Sequence, residues 1–119
     1  MKILICESEE VLLAAIEFRL RKQGFAVAFC KKKASVEEHV LKEDPDLVLI
    51  DLDMGKQSGL EIVRLVQQLQ GPKAKTLLLA DPDEEEKIVE GFAIGINDFL
   101  SKPFKPAELI LRVRRILGK

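Results

Sequence analysis

The chain is poor in the features that mark many specialised proteins. It has only 2 cysteines in 119 residues. No Cys-x-x-Cys or zinc-type spacing links Cys6 to Cys30, which leaves them as reduced core residues of a cytosolic protein. The single histidine, His39, has no second His or Cys nearby and carries no metal role. Neither Gly-x-Gly-x-x-Gly nor Gly-x-x-x-x-Gly-Lys-[Ser/Thr] occurs, which weighs against dinucleotide or nucleoside-triphosphate binding at the first strand-helix turn. No apolar run approaches ~20 residues, and Met1 to Cys6 is too short for a secretory leader, so a soluble, cytoplasmic protein with no membrane contact is expected. Nor does one charge dominate. Lys and Arg number 19 against 20 Asp and Glu, a balance that argues against direct nucleic-acid binding and against an acidic tail, and leaves partners to local patches. Repeats, low-complexity tracts and linkers are also missing, so residues 1–119 read as one domain.

What the sequence does have is alternation. Leu47-Val48-Leu49-Ile50 follows the breaker Pro45-Asp46 and ends abruptly in Asp51, the pattern of a strand buried on both faces. Ile3 to Cys6, Phe25 to Cys30, Thr76 to Ala80 and Asn97 to Ser101 read as four further strands. Between them lie helical patterns. The first carries Val11, Leu12, Ala15, Ile16 and Leu20 inward with Ser8 as its N-cap. A weaker second helix runs from Ala34 to about Glu43 with Val36, Val40 and Leu41 inward. A loop containing Gly55 and Gly59 leads to a third helix with Leu60, Ile62, Val63, Leu65, Val66 and Leu69. The fourth opens on Asp81-Pro82-Asp83 and Glu84-Glu85-Glu86, with Ile88, Val89 and Phe92 on its apolar side. The fifth spans Ala107 to Leu117. Five strands alternating with five helices imply an α/β fold: a doubly wound three-layer sandwich around a parallel sheet with right-handed crossovers.

Ligands of such sheets bind where the carboxyl ends of the strands meet. That rule gathers Glu7, Asp51, Asp53, Asp81 and Lys102 into one candidate pocket. An aspartate at a strand tip is often only a turn former, Glu7 also suits a helix dipole, and Lys31-Lys32-Lys33 is most simply a solvated loop.

The flanking residues add more. Lys2-Ile3-Leu4-Ile5-Cys6-Glu7, Pro45 to Asp51 with Met54 and Ser58-Gly59-Leu60-Glu61, Gly91 to Gly95, and Asn97 through Lys102-Pro103-Phe104 to Leu109 stand in order over the whole chain. Together they resemble the receiver domain of two-component response regulators. The resemblance implies a flavodoxin-like (βα)5 fold with strand order 2-1-3-4-5. It also implies that Asp51 accepts a phosphoryl group from a sensor histidine kinase or phosphotransfer protein. Lys102 matches the lysine that neutralises the transferring oxygens, and Lys102-Pro103 the family's cis peptide bond. Glu7, Asp51 and Asp53, the last through its main-chain carbonyl, match the positions that hold Mg2+. Such a module signals and is not a turnover enzyme, although it can lose its own phosphoryl group.

The departures are specific. Ser8 stands where a second acid is usual, so the metal site should be weakened. Ala80 replaces the switch hydroxyl, Gly55 replaces a proline, and Asp81 replaces a small residue. Phe99 keeps the aromatic switch position. The face of helix four, strand five and helix five, with Lys87, Asp98 and Arg112, is the expected homodimer surface. Two rivals remain: a phosphorylation-independent pseudo-receiver that acts by protein interaction, and a metal-dependent phosphatase using Asp51 and Asp53. The chain's lack of a substrate-specificity insertion disfavours the phosphatase.

Overall fold

A computed structural model describes residues 1–54 and 57–119; Gly55 lies outside the described residues. Strands β1 (Lys2–Cys6), β2 (Ala26–Cys30), β3 (Leu47–Asp51), β4 (Lys75–Ala80) and β5 (Asp98–Ser101) form one sheet. All are parallel, in the order β2-β1-β3-β4-β5. Every residue of β3 is buried, as the continuous apolar run requires of a central strand covered on both sides.

Helices α1 (Glu10–Lys22), α2 (Val36–Glu43), α3 (Gly59–Gln70), α4 (Glu85–Ile94) and α5 (Pro106–Leu117) cover the sheet. The split follows side-chain alternation along the strands. Ile3, Ile5, Leu47, Leu49, Leu77 and Leu79 pack with α1 and α5. Leu4, Cys6, Val48, Ile50, Leu78 and Ala80 pack with α2, α3 and α4. Both cysteines are free and buried. Burial, then Cys30, then Glu7 push the Cys6 thiol far above its ordinary value, so it stays protonated. Among the described residues no helix is long and apolar enough to cross a membrane.

The structure corrects several local expectations. The N-cap of α1 is Glu9, not Ser8: its carboxylate accepts from Val11 N at 3.0 Å and Leu12 N at 2.8 Å. The longer side chain reaches two free amides and places charge at the positive helix end. Leu13 is buried on α1, whereas Val11 and Ala15 face outward. Leu41, Val89 and Phe92 are likewise exposed. These helices bury a narrower stripe than the apolar residues alone suggest. The stretch read as a plain loop contains a small antiparallel ribbon, Asp53–Met54 against Gln57–Ser58, and Gly59 opens α3 instead of belonging to that loop.

Candidate functional site

The site is built from three strand tips. β3 ends in Asp51, whose side chain is only 2% exposed. β1 delivers Glu7, 1% exposed, one residue past its end. β5 delivers Lys102, whose Nζ donates to Asp51 Oδ2 at 2.9 Å and to Oδ1 at 3.1 Å. The Lys102-Pro103 bond is cis, as the resemblance implied. Asp53 N also donates to Asp51 Oδ1, at 2.8 Å. A glycine closes the frame on the other side. A Cβ at Gly59 would run into the Asp51 carbonyl oxygen and lie 2.7 Å from Leu52 Cα, so α3 starts against the backbone of the site only because no side chain intervenes.

Charge is crowded here. Burial, then the neighbouring Asp51, push the Glu7 carboxyl up to about 8, against the pull of the Glu9 N–H and of Lys102. One of its oxygens accepts from Glu9 N at 3.1 Å; the other, Oε1, is buried without a partner. Burial draws the Lys102 ammonium down, but its bond to Asp51 and the charges of Asp51, Asp81 and Glu7 outweigh that and hold it above its ordinary value.

A second acidic group borders the first. Carboxylate oxygens of Asp53, Asp81 and Glu84 lie within 4.8 Å of one another. Glu84 was not anticipated as a site residue. It occupies the N-cap position of α4, but its carboxylate turns back to accept from Asp81 N at 2.9 Å. Partial burial lifts its carboxyl, the Asp81 N–H opposes this, and the Asp53 and Asp81 charges add to the lift. Its signal in the sequence was the run Asp81-Pro82-Asp83-Glu84, which put an acid one turn past the tip of β4.

The remaining candidate residues fall into two places. Ala80 is fully buried at the tip of β4, where its carbonyl accepts from Lys102 N at 2.9 Å. Phe99 on β5 is half-buried and meets Phe92 of α4 edge-on, centroids 6.0 Å apart at 88°. Away from the pocket, Arg112 pairs with Asp98 at 2.8 Å, and Lys87 lies 3.8 Å from Glu84. Asp98 and Arg112 therefore pair within the chain, although the Arg112 Nε is buried without a partner among the described residues.

Three hard-oxygen acids around one lysine suit the handling of an anionic phosphoryl group beside a divalent cation. The unpartnered Glu7 Oε1 next to Asp51 fits such a cation, because it is a buried carboxylate oxygen without a hydrogen-bond partner among the described residues.

The comparisons agree with this geometry. The family model described as "Response regulator receiver domain" matches residues 3–114. The chain is 34% identical over 116 residues to the transcriptional regulatory protein CutR of Streptomyces coelicolor, covering 98% of this chain and 53% of that one. It is 31% identical over 118 residues to the alkaline phosphatase synthesis transcriptional regulatory protein PhoP of Bacillus subtilis, covering 99% and 49%. The chain thus spans about half the length of these curated relatives. Among solved structures, a putative response regulator from Chloroflexus aurantiacus aligns with a TM-score of 0.90 at 27% identity, over 99% of this chain and 98% of that one. The receiver domain of the sensor histidine kinase PA1611 from Pseudomonas aeruginosa, solved with a magnesium ion coordinated in its active-site cleft, aligns at 0.86 with 25% identity over 99% and 98%.

Proposed function

The chain belongs to the response regulator receiver domain family, and from that membership we propose that it is the cytoplasmic switch module of a two-component phosphorelay, phosphorylated on Asp51. The observation that carries this reading is the Asp51–Lys102 pair: a buried carboxylate with a lysine bonded to both of its oxygens. A sensor histidine kinase or a phosphotransfer protein would supply the phosphoryl group. An Asp51 oxygen attacks phosphorus, the bond to the donor's imidazole nitrogen breaks, and the imidazole keeps the electron pair. Lys102 then moves from pairing the carboxylate to pairing the transferred oxygens, so the cation that pairs with Asp51 also receives the new charge.

Glu7, Asp51 and Asp53 would hold Mg2+, which neutralises charge on the transferring oxygens. Ser8 removes one carboxylate from that set, so affinity is expected to be weak. The tip of β4 carries no hydroxyl at Ala80, so the step from a phosphoryl group to Phe99 and α4 lacks the usual hydrogen bond. Transmission then falls to the Phe92–Phe99 contact. Self-association through α4, β5 and α5, with Lys87, Asp98 and Arg112 at the contact, is the output that this face offers. Residues 1–119 act as one domain in this reading, and hydrolysis of the aspartyl phosphate resets it.

Exposure to acetyl phosphate with Mg2+, followed by intact-mass spectrometry, tests the assignment. One phosphoryl group per chain, absent in Asp51→Asn, is the expected result. An unlabelled chain under conditions that label another receiver would overturn it in favour of the phosphorylation-independent alternative.

A further inference from the structure

A cavity of 510 Å3 opens off the Asp51 site, between α1 and the segment that follows β5. Lys102 and Asp81 line one end of it, so the cavity and the site share a wall. Along its length the lining is apolar. Leu12, Ala15 and Ile16 present one side of α1 to it, and Phe104 and Leu109 stand opposite. Ile16 and Leu109 are each 1% exposed and form the floor, while Leu12 and Phe104 are partly buried walls packed on the same core. The acids at its rim are Asp81 and Glu9. Both Glu9 oxygens are engaged by α1, through Val11 N and Leu12 N, which fixes that carboxylate in place.

We propose that this cavity takes the acyl group of a small phosphodonor: an acyl phosphate whose uncharged aliphatic chain lies on Leu12, Ile16 and Leu109 while its phosphoryl group meets Lys102 and Asp51. The proposal rests on the reading of Asp51 as the phosphoacceptor. Three features select this occupant. Continuity with Lys102 calls for a phosphoryl head. The apolar lining calls for hydrocarbon beyond it, because each methylene taken out of water favours the complex. The carboxylates of Glu9 and Asp81 repel a second negative charge beside the head, so the chain is uncharged. In the transfer an Asp51 oxygen forms a bond to phosphorus, the bond from phosphorus to the acyl carboxyl oxygen breaks, and the carboxylate leaves with the electron pair. Contacts to the chain are made equally in the bound donor and in the transition state, so they speed labelling at donor concentrations below saturation.

The test compares the rates at which acetyl phosphate and butyryl phosphate label Asp51, both with Mg2+ and below saturation, by intact-mass spectrometry. The two donors release carboxylates of nearly equal basicity, so the ratio of their rates reports contact with the chain and not the chemistry of the leaving group. Butyryl phosphate, longer by two methylenes, is expected to label about tenfold faster. Ala15→Leu fills the cavity from an exposed position and Leu12→Asn makes its wall polar, so each should bring the two rates together. Leu41→Asn, exposed on α2 across the sheet, should leave the ratio as it is. Labelling by acetyl phosphate with no advantage for butyryl phosphate overturns the proposal and leaves the Asp51 reading standing. An advantage that survives both Ala15→Leu and Leu12→Asn, or that Leu41→Asn removes as well, also overturns it. If neither donor labels Asp51, the Asp51 reading and this proposal fall together.

Discussion

Lys102 Nζ bonds both carboxylate oxygens of Asp51, at 2.9 and 3.1 Å, so a cation in direct contact with the buried aspartate is held by the cis Lys102-Pro103 junction after β5. Asp51 and Glu7 are buried side by side, and this lysine offsets the buried Asp51 charge. Lys102→Met should therefore destabilise the fold by about 2–3 kcal/mol, because it leaves an uncompensated buried carboxylate. Urea unfolding at pH 7 measures it. Labelling of Asp51 by acetyl phosphate should fall in the same variant.

The pH dependence of stability follows from Glu7. Its folded-state value, about 8, lies above the ordinary 4.5, so the native state binds a proton that the unfolded chain has released. Stabilisation from this group is complete below pH about 4.5 and is lost as the pH rises through about 8, with a slope of at most about 1.4 kcal/mol per pH unit. In the presence of a chelator, wild type should lose stability relative to Glu7→Gln between pH 5 and 8. Parallel denaturation curves for the two proteins across that window would contradict the assignment.

Metal binding should show the reverse trend. A cation competes with the Glu7 proton, so Mg2+ affinity rises with pH through the same range and flattens above it. Calorimetric or NMR titrations at several pH values check this. Replacing Ser8 with Asp restores a second acid and is expected to tighten binding about tenfold.

Gly59 is a packing constraint on the site. A Cβ there meets backbone atoms of Asp51 and Leu52, which cannot move aside as a flexible side chain would. Gly59→Ala should cost about 3 kcal/mol, more than the small gain in helix propensity returns. Thermal melts show the loss, and amide shifts at Asp51 and Asp53 show whether the strand tip has moved.

The Asp98–Arg112 pair is partly buried, its side chains 14% and 29% exposed, and Arg115 and Glu108 lie beside it. Asp98→Asn alone should change stability by less than about 1 kcal/mol. If α4, β5 and α5 form the output contact, Arg112→Glu lowers self-association of the phosphorylated chain far more than it lowers stability. Sedimentation with and without acetyl phosphate separates the two effects.

Much of this protein is visible in its sequence because strong local signals coincide with the fold. The unbroken apolar run before Asp51 marks a central strand. Gly95 closes α4 in a left-handed conformation, φ 119°, that favours glycine. Hydrophobic period and breakers therefore set the element order, and with it the convergence of Glu7, Asp51 and Lys102 at the strand tips.

The tertiary structure decided what periodicity alone leaves open. Val89 and Phe92 are apolar and in phase, yet outward, because α4 needs only Ile88 and Gly91 to meet α3 and β4. Glu9 displaced Ser8 as the cap because its carboxylate reaches two amides, a matter of side-chain length that a residue preference does not encode. Glu84 joined the acidic rim because the cap of α4 folds back over Asp81, a contact made by loop geometry. The sequence by itself determined which residues are apolar, which are charged, and where the chain must turn, since those are properties of local segments. Which apolar stripes stay in water, which carboxylate is left without a partner, and how far each charge is shifted depend on neighbours from distant segments, and only the folded sheet brings those together.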